Sequence, residues 1–248
     1  MLDCLVCSTT SLQAVPIQPT RTAGCVPGDI CAVYASLSTP IETVFQATQT
    51  IQQDPDALLR SQFALSEIRG RKIGKKRPCI LVRQAIPGIQ PAVVYLMGTL
   101  GRKLIDSDGV CNVLREFMKP IFPNVGLPGS RHYHTIPLWP HGFQWLIGHA
   151  IELDHTKLVE AHWRFNSDDY PQVADPGTIY TIGQDSLGLL NEHYRNTLIV
   201  WEIWCKNDPG FAEACEEERR VRAVWIEWFR HSTADMYMLR NYRTKMRR

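Results

Sequence analysis

Arg69-Gly-Arg-Lys-Ile-Gly-Lys-Lys-Arg-Pro-Cys-Ile-Leu-Val-Arg83 runs through a Pro87-Gly88 turn into Val93-Val-Tyr-Leu-Met-Gly-Thr-Leu-Gly-Arg-Lys103. A basic, glycine-containing loop feeds one apolar run. A second apolar run ends on small residues and a hydroxyl. Short β-branched and aromatic runs bounded by Gly and Pro mark strands, so Cys79–Arg83 and Val93–Met97 are expected to be strands. Residues 69–83 hold seven Lys or Arg and no acid, a local charge suited to phosphate.

Upstream, Pro27-Gly28-Asp29-Ile30-Cys31-Ala32-Val33-Tyr34 is a turn followed by a further strand signal. Between that strand and the basic loop lie two helix starts. Thr39-Pro40-Ile41-Glu42 is a capping box with proline at the first helical position and predicts a helix to about Gln52. Asp54-Pro55 repeats the pattern. Leu58, Leu59, Phe63, Leu65 and Ile68 supply one apolar face, and Gly70 a stop. A helical hairpin over about 40–70 is therefore expected as an insertion between two strands.

Downstream, Asp106 or Asp108 can cap a short helix through Val113, Leu114 and Phe117 that ends at Pro120. Residues 120–142, rich in Pro, Gly and His, read as loop. Phe143–Leu153 reads as the longest strand, and 164–185 as loop again. Ser186 caps a helix through Leu190, Tyr194, Leu198, Trp201 and Trp204. Asp208-Pro209-Gly210 breaks it, and a last helix runs from Phe211 through Trp225 and Trp228 toward Met238. Trp201, Trp204, Trp225 and Trp228 lie at helical spacing, which predicts the core between the last two helices rather than a base-stacking surface. The expected organisation is an irregular arm over 1–26, a strand-rich unit over 27–185, and a helical extension over 186–248 packed on it.

The 248 residues are 44% hydrophobic and 21% charged, enough to build a sizeable core. The net charge of +2 selects no partner by itself. The eight cysteines are scattered through apolar runs, as reduced buried thiols are. Cys4-Leu-Val-Cys7 has no second pair at zinc-ribbon spacing. Met1–Pro16 lacks a basic start and carries Asp3, unlike a signal peptide. No uncharged apolar run reaches the roughly 18 residues of a membrane span, and Leu198–Trp204 is interrupted by Glu202. The expectation is an intracellular protein, cytoplasmic or nuclear, that does not enter a membrane.

Gly28-Asp29-Ile30 opening a strand, Lys76-Arg77-Pro78 opening a second, and Thr99 closing a third resemble, in that order, the PemK/MazF toxin superfamily. The resemblance covers about residues 27–155. It implies an α+β fold: an SH3-like small β-barrel, here with an inserted helical hairpin and a C-terminal helical extension. It also implies a metal-independent endoribonuclease or RNA-binding module that needs no cofactor, with Arg77 and Thr99 at the positions of the family's catalytic arginine and hydroxyl. The family joins its first two strands by a short loop that helps cover the RNA. The long insertion departs from that pattern, and so does the 186–248 extension.

The chemistry can be weighed from the side chains alone. Cleavage of RNA by its own 2′-hydroxyl needs a proton acceptor, a proton donor and a group that stabilises charge on phosphate. Arg77 suits the last, because a guanidinium matches phosphate bidentately and does not deprotonate. Thr99 can donate one hydrogen bond to a phosphate oxygen. Arg71, Lys72, Lys75, Lys76, Arg102 and Lys103 are the expected substrate-binding cations. His132-Tyr133-His134 places two imidazoles on one side of an extended chain, so His132 and His134 are the acid–base candidates. The bland account is that they pack in the Pro-rich loop beside Trp139. A metal held by His132, His134 and His141 lacks a carboxylate at familiar spacing. Expected partners are RNA through the 69–83 loop, or a protein or second copy. The competing function is a barrel without catalysis that acts as a protein-interaction domain.

Overall fold

The computed structural model describes residues 24–37, 39–48, 75–99, 111–124, 126, 132–153, 161–165 and 178–218. Its elements in chain order are β1 (Ile30–Ala35), α1 (Thr39–Ala47), β2 (Lys75–Arg83), β3 (Val93–Gly98), α2 (Asn112–Phe117), β4 (Met118–Pro120), β5 (Trp145–Ile147), β6 (Ile151–Glu152) and α3 (Gln184–Asn207). A further helix is described over 211–218. No helix among the described residues is long and apolar enough to cross a membrane.

The six strands form one antiparallel sheet in the order β1-β2-β3-β5-β4, with β6 also paired to β3. The fold is thus α+β, but the sheet does not close as the expected barrel would, because β1 and β4 are its two edges. Isolated bridges outside the strands run part of the way between those edges: Ile121 to Tyr133, Ile136 to Thr181, and Thr181 to Asp29.

Side chains alternate between two buried faces, as the two-residue period of a strand requires. Ile30, Ile80, Tyr95 and Met97 belong to one core, with Trp139, Leu146, Tyr180 and the α3 residues Leu187 and Leu190. Cys31, Val33, Cys79, Leu81, Val94 and Leu96 belong to the other, with Ile151 and Leu153. Burial on both faces explains why β2 and β3 read as unbroken apolar runs. A third core joins α1 (Ile41, Val44, Phe45), α2, the β4–β5 edge and the end of α3 at Trp201. Six described cysteines are buried and free, as the sequence implied.

The turn into β1 is built by the Gly-Asp-Ile residues. Gly28 has φ +93, a conformation that favours glycine. Its N–H donates to Leu81 O at 2.7 Å, and its carbonyl accepts from Ile182 N–H at 3.0 Å. The Asp29 carboxylate is buried, accepts from Val26 N–H at 2.9 Å and faces His162 Nε2 at 3.1 Å.

Sequence expectations change at several elements. α1 ends at Ala47, short of the expected Gln52, and α3 starts at Gln184 after Gly183, so Ser186 lies inside that helix rather than capping it. The helix expected to end at Pro120 ends at Phe117. Met118 is already extended (φ −87, ψ 139), and Pro120 sits in edge strand β4, where a missing N–H is tolerated. Phe143–Leu153 is two strands, not one. Gly148 N–H bonds to Phe117 O, and the chain bends so that β5 pairs with the end of β3 and β6 with its start. The 120–142 region holds the last residue of β4 and takes part in two of the isolated bridges rather than being loop alone. β2 begins at Lys75, so the last cations of the basic loop belong to a strand paired with Ala35 and Tyr34. The α1 helix starts at Thr39 as expected. The second helix of the insertion, the caps Asp106 and Asp108, Cys4, Cys7, Trp225, Trp228 and the basic C-terminus lie outside the described residues.

Candidate functional site

β2 and β3 are antiparallel, so the start of β2 and the end of β3 lie at the same end of the sheet. Lys76, Arg77 and Pro78 meet Met97, Gly98 and Thr99 there. Together they line one side of an open cleft of about 540 Å³. Arg77 and Thr99 border the same cavity. Arg77 is half-buried, and its Nε donates to the Ala35 carbonyl at 3.0 Å, which ties the guanidinium stem to edge strand β1.

The opposite side comes from two loops. Trp139, His141 and Gln144 belong to the turn before β5, and Trp163, Arg164 and Phe165 to the 161–165 segment. That segment is held against β1: Ala32 N–H donates to Ala161 O at 3.0 Å, and Trp163 N–H donates to Ile30 O at 2.8 Å. Trp139 is buried, and its Nε1–H donates to Gln144 Oε1 at 3.2 Å. Phe165 packs edge-on against Trp139 and Tyr180, with ring centroids 4.8 and 5.5 Å away. Phe165 lies 6.1 Å from the Trp163 ring and 5.7 Å from the His141 ring. Among the described residues the lining contains Lys76, Arg77 and Arg164 and no carboxylate. Cations beside aromatic faces suit a ligand carrying both phosphate and a planar ring.

His132 and His134 are elsewhere. As expected from their alternation, the two rings meet, with centroids 4.8 Å apart. Both pack on Phe122, and His134 is stacked on it at 4.8 Å and 24°. They do not line the Arg77–Thr99 cleft. Burial lowers the pKa of each, and the neighbouring His132 charge lowers that of His134 further. Among the described residues no three His, Cys, Asp or Glu converge as a metal site. Lys75 pairs with Ala35 in the ladder. Arg71, Lys72, Arg102 and Lys103 lie outside the described residues.

Sequence reasoning missed Trp163, Arg164 and Phe165, which fall at the edge of a stretch read as loop. Their aromatic–basic–aromatic order was the available signal. His141 was considered only as a metal ligand, yet among the described histidines it is the one that borders the cleft.

Compared with family models, curated proteins and solved structures, the chain matches none.

Proposed function

We propose that this cleft binds single-stranded RNA and that the protein is a metal-independent endoribonuclease of PemK/MazF-like type. The observation that carries the reading is the shared cleft itself: Arg77 in β2 and Thr99 just after β3 border one cavity with two further cations and an aromatic wall. The cations supply affinity for the phosphate backbone. The aromatic rings offer surfaces on which an unpaired base can stack, worth roughly 1–3 kcal/mol per base. The order of Gly28-Asp29-Ile30, Arg77-Pro78 and Thr99 along the chain supports relating the sheet to the SH3-like type. So does the line of bridges from Ile121 to Asp29.

The test is incubation of the purified full chain with single-stranded RNA in the presence of EDTA, beside Arg77→Ala. RNA cleavage by the wild type alone supports the reading. Cleavage of equal rate in both, or in neither, rejects the nuclease. Fluorescence anisotropy with a labelled oligoribonucleotide separates binding from cleavage.

A second reading, a protein-interaction domain, draws on α3. Ile199, Val200 and Ile203 of that helix are exposed apolar residues, a surface that a partner or a second copy can cover. Sedimentation of the wild type against Ile199→Glu/Ile203→Glu tests it: a loss of association in the variant supports this reading, and identical monomers reject self-association.

A further inference from the structure

The proposed site has a phosphate-binding arginine and a hydroxyl, and neither is a base. The cleft nevertheless contains an imidazole. His141 borders the cavity together with Arg77 and Thr99, although it is remote from both in sequence.

The position of His141 is braced. It sits on the turn between Trp139 and Gln144, which are both buried, and the bond from Trp139 Nε1 to Gln144 Oε1 (3.2 Å) clamps the two ends of that turn together. The Gln144 carbonyl also accepts from Ile121 N–H at 3.0 Å and Asn124 Nδ2 at 2.9 Å, which fixes the turn to the continuation of β4. From the other side, the His141 ring lies against Phe165, with centroids 5.7 Å apart at 53°. A half-buried imidazole on a turn fastened at both ends is a positioned group, as proton transfer requires. The fold does not bring His132 and His134 into this cleft.

We infer that His141 is the proton acceptor of the site, a catalytic residue for transphosphorylation of RNA. The inference rests on the RNA reading above. In the step, the 2′-hydroxyl gives its proton to an imidazole nitrogen of His141 while the 2′-oxygen attacks the adjacent phosphorus. The P–O bond to the 5′-oxygen breaks, and that oxygen takes a proton from water. The products are a 2′,3′-cyclic phosphate and a 5′-hydroxyl end, and His141 returns its proton to solvent. Arg77 stabilises the charge on the non-bridging oxygens and Thr99 donates to one of them, so each side chain has one task. Among the described residues the charged neighbours on the lining, Lys76, Arg77 and Arg164, are all cations.

The experiment is steady-state cleavage of a mixed-sequence single-stranded RNA with EDTA by wild type, His141→Gln and His141→Ala. Affinity is measured in parallel on the same oligonucleotide carrying 2′-deoxy nucleotides, which cannot react. Expected is a kcat at least about 100-fold lower in both variants, with affinity for the 2′-deoxy probe unchanged within about threefold. Added imidazole restores part of the activity of His141→Ala, and the acidic limb of the wild-type pH–rate profile is absent from the variant. A wild type that cleaves RNA while both His141 variants keep its kcat overturns the role of His141 and leaves the RNA reading standing. So does a loss confined to KM. A wild type that binds the probe but cleaves nothing overturns catalysis at His141 and leaves binding. A wild type that does neither overturns both.

Discussion

Arg77 donates from Nε to the carbonyl oxygen of Ala35 at 3.0 Å, so the side chain proposed to meet phosphate is anchored to the neighbouring strand. Lysine keeps the charge but has neither this donor nor the planar fork. Arg77→Lys is therefore expected to weaken RNA binding by tenfold or more, in line with the roughly 1.5–3 kcal/mol of a hydrogen bond to a charged group. Because β1 and β2 stay paired at all six positions from Ile30 to Ala35, the thermal midpoint should hardly move. Anisotropy and calorimetry on the same preparation check the pair of outcomes.

His149 makes the fold acid-sensitive. Its ring is buried against Phe117 and Tyr194, and neither nitrogen has a hydrogen-bond partner. Burial pushes its pKa down from 6.5 to about 4. The unfolded chain therefore takes up this proton first, and stability falls as pH drops from about 6.5 toward 4, then levels off. Over that interval the loss amounts to about 3 kcal/mol. His149→Phe fills a similar volume without a titrating group. Urea midpoints of the two proteins should match far more closely in slope above pH 7 than between pH 6 and 4.5, where only the wild type carries this term.

The indole of Trp201 is buried and donates from Nε1 to Thr48 Oγ1 at 3.0 Å; Thr48 in turn donates to the Val44 carbonyl at 2.9 Å. Thr48→Val keeps the shape and strands the indole N–H. The expected loss is about 1–3 kcal/mol, read as a lower denaturant midpoint with an unchanged m-value. Trp201→Phe in the Thr48→Val background should cost less than the sum of the two single changes.

Gly148 is fixed by a close approach. A Cβ there would lie 2.9 Å from the Phe117 carbonyl oxygen, and that oxygen accepts the Gly148 N–H. Backbone cannot yield as a side-chain tip can, so Gly148→Ala is expected to destabilise by about 1–3 kcal/mol. Gly142→Ala, with open space at its Cβ, is the control and should stay within about 0.5 kcal/mol. Thermal melts of the two variants make the comparison.

β1, β2 and β3 were legible because each is an apolar run between turn residues, and both of their faces are buried. The same logic misled at Phe143–Leu153. The stretch is mostly apolar, and no proline marks the bend at Gly148. The split is imposed by partners: the Phe117 carbonyl on one side and the two ends of β3 on the other. Barrel closure was equally invisible, since it depends on whether the edges β1 and β4 meet through strands or through single bridges. In the cleft, Arg77 and Thr99 are brought together in the sequence only by the family resemblance, and the fold sets both on one lining. Trp163, Arg164 and Phe165 were not legible, because their approach depends on Trp163 N–H reaching Ile30 O.

The pairing of Ala35 with Lys75 has a kinetic meaning. The β2–β3 connection spans residues 84–92, whereas β1 and β2 are joined through 36–74, a connection roughly fourfold longer, which by chain length alone costs about 1 kcal/mol more to close. On closure entropy the β2–β3 hairpin is thus the cheaper nucleus, which favours β1 docking onto it afterwards. Arg77 belongs to the early hairpin, but its anchor at Ala35 arrives with the late strand. The bond from Arg77 to Ala35 forms only once β1 has docked, so a chain halted before that step has its central hairpin without this anchor.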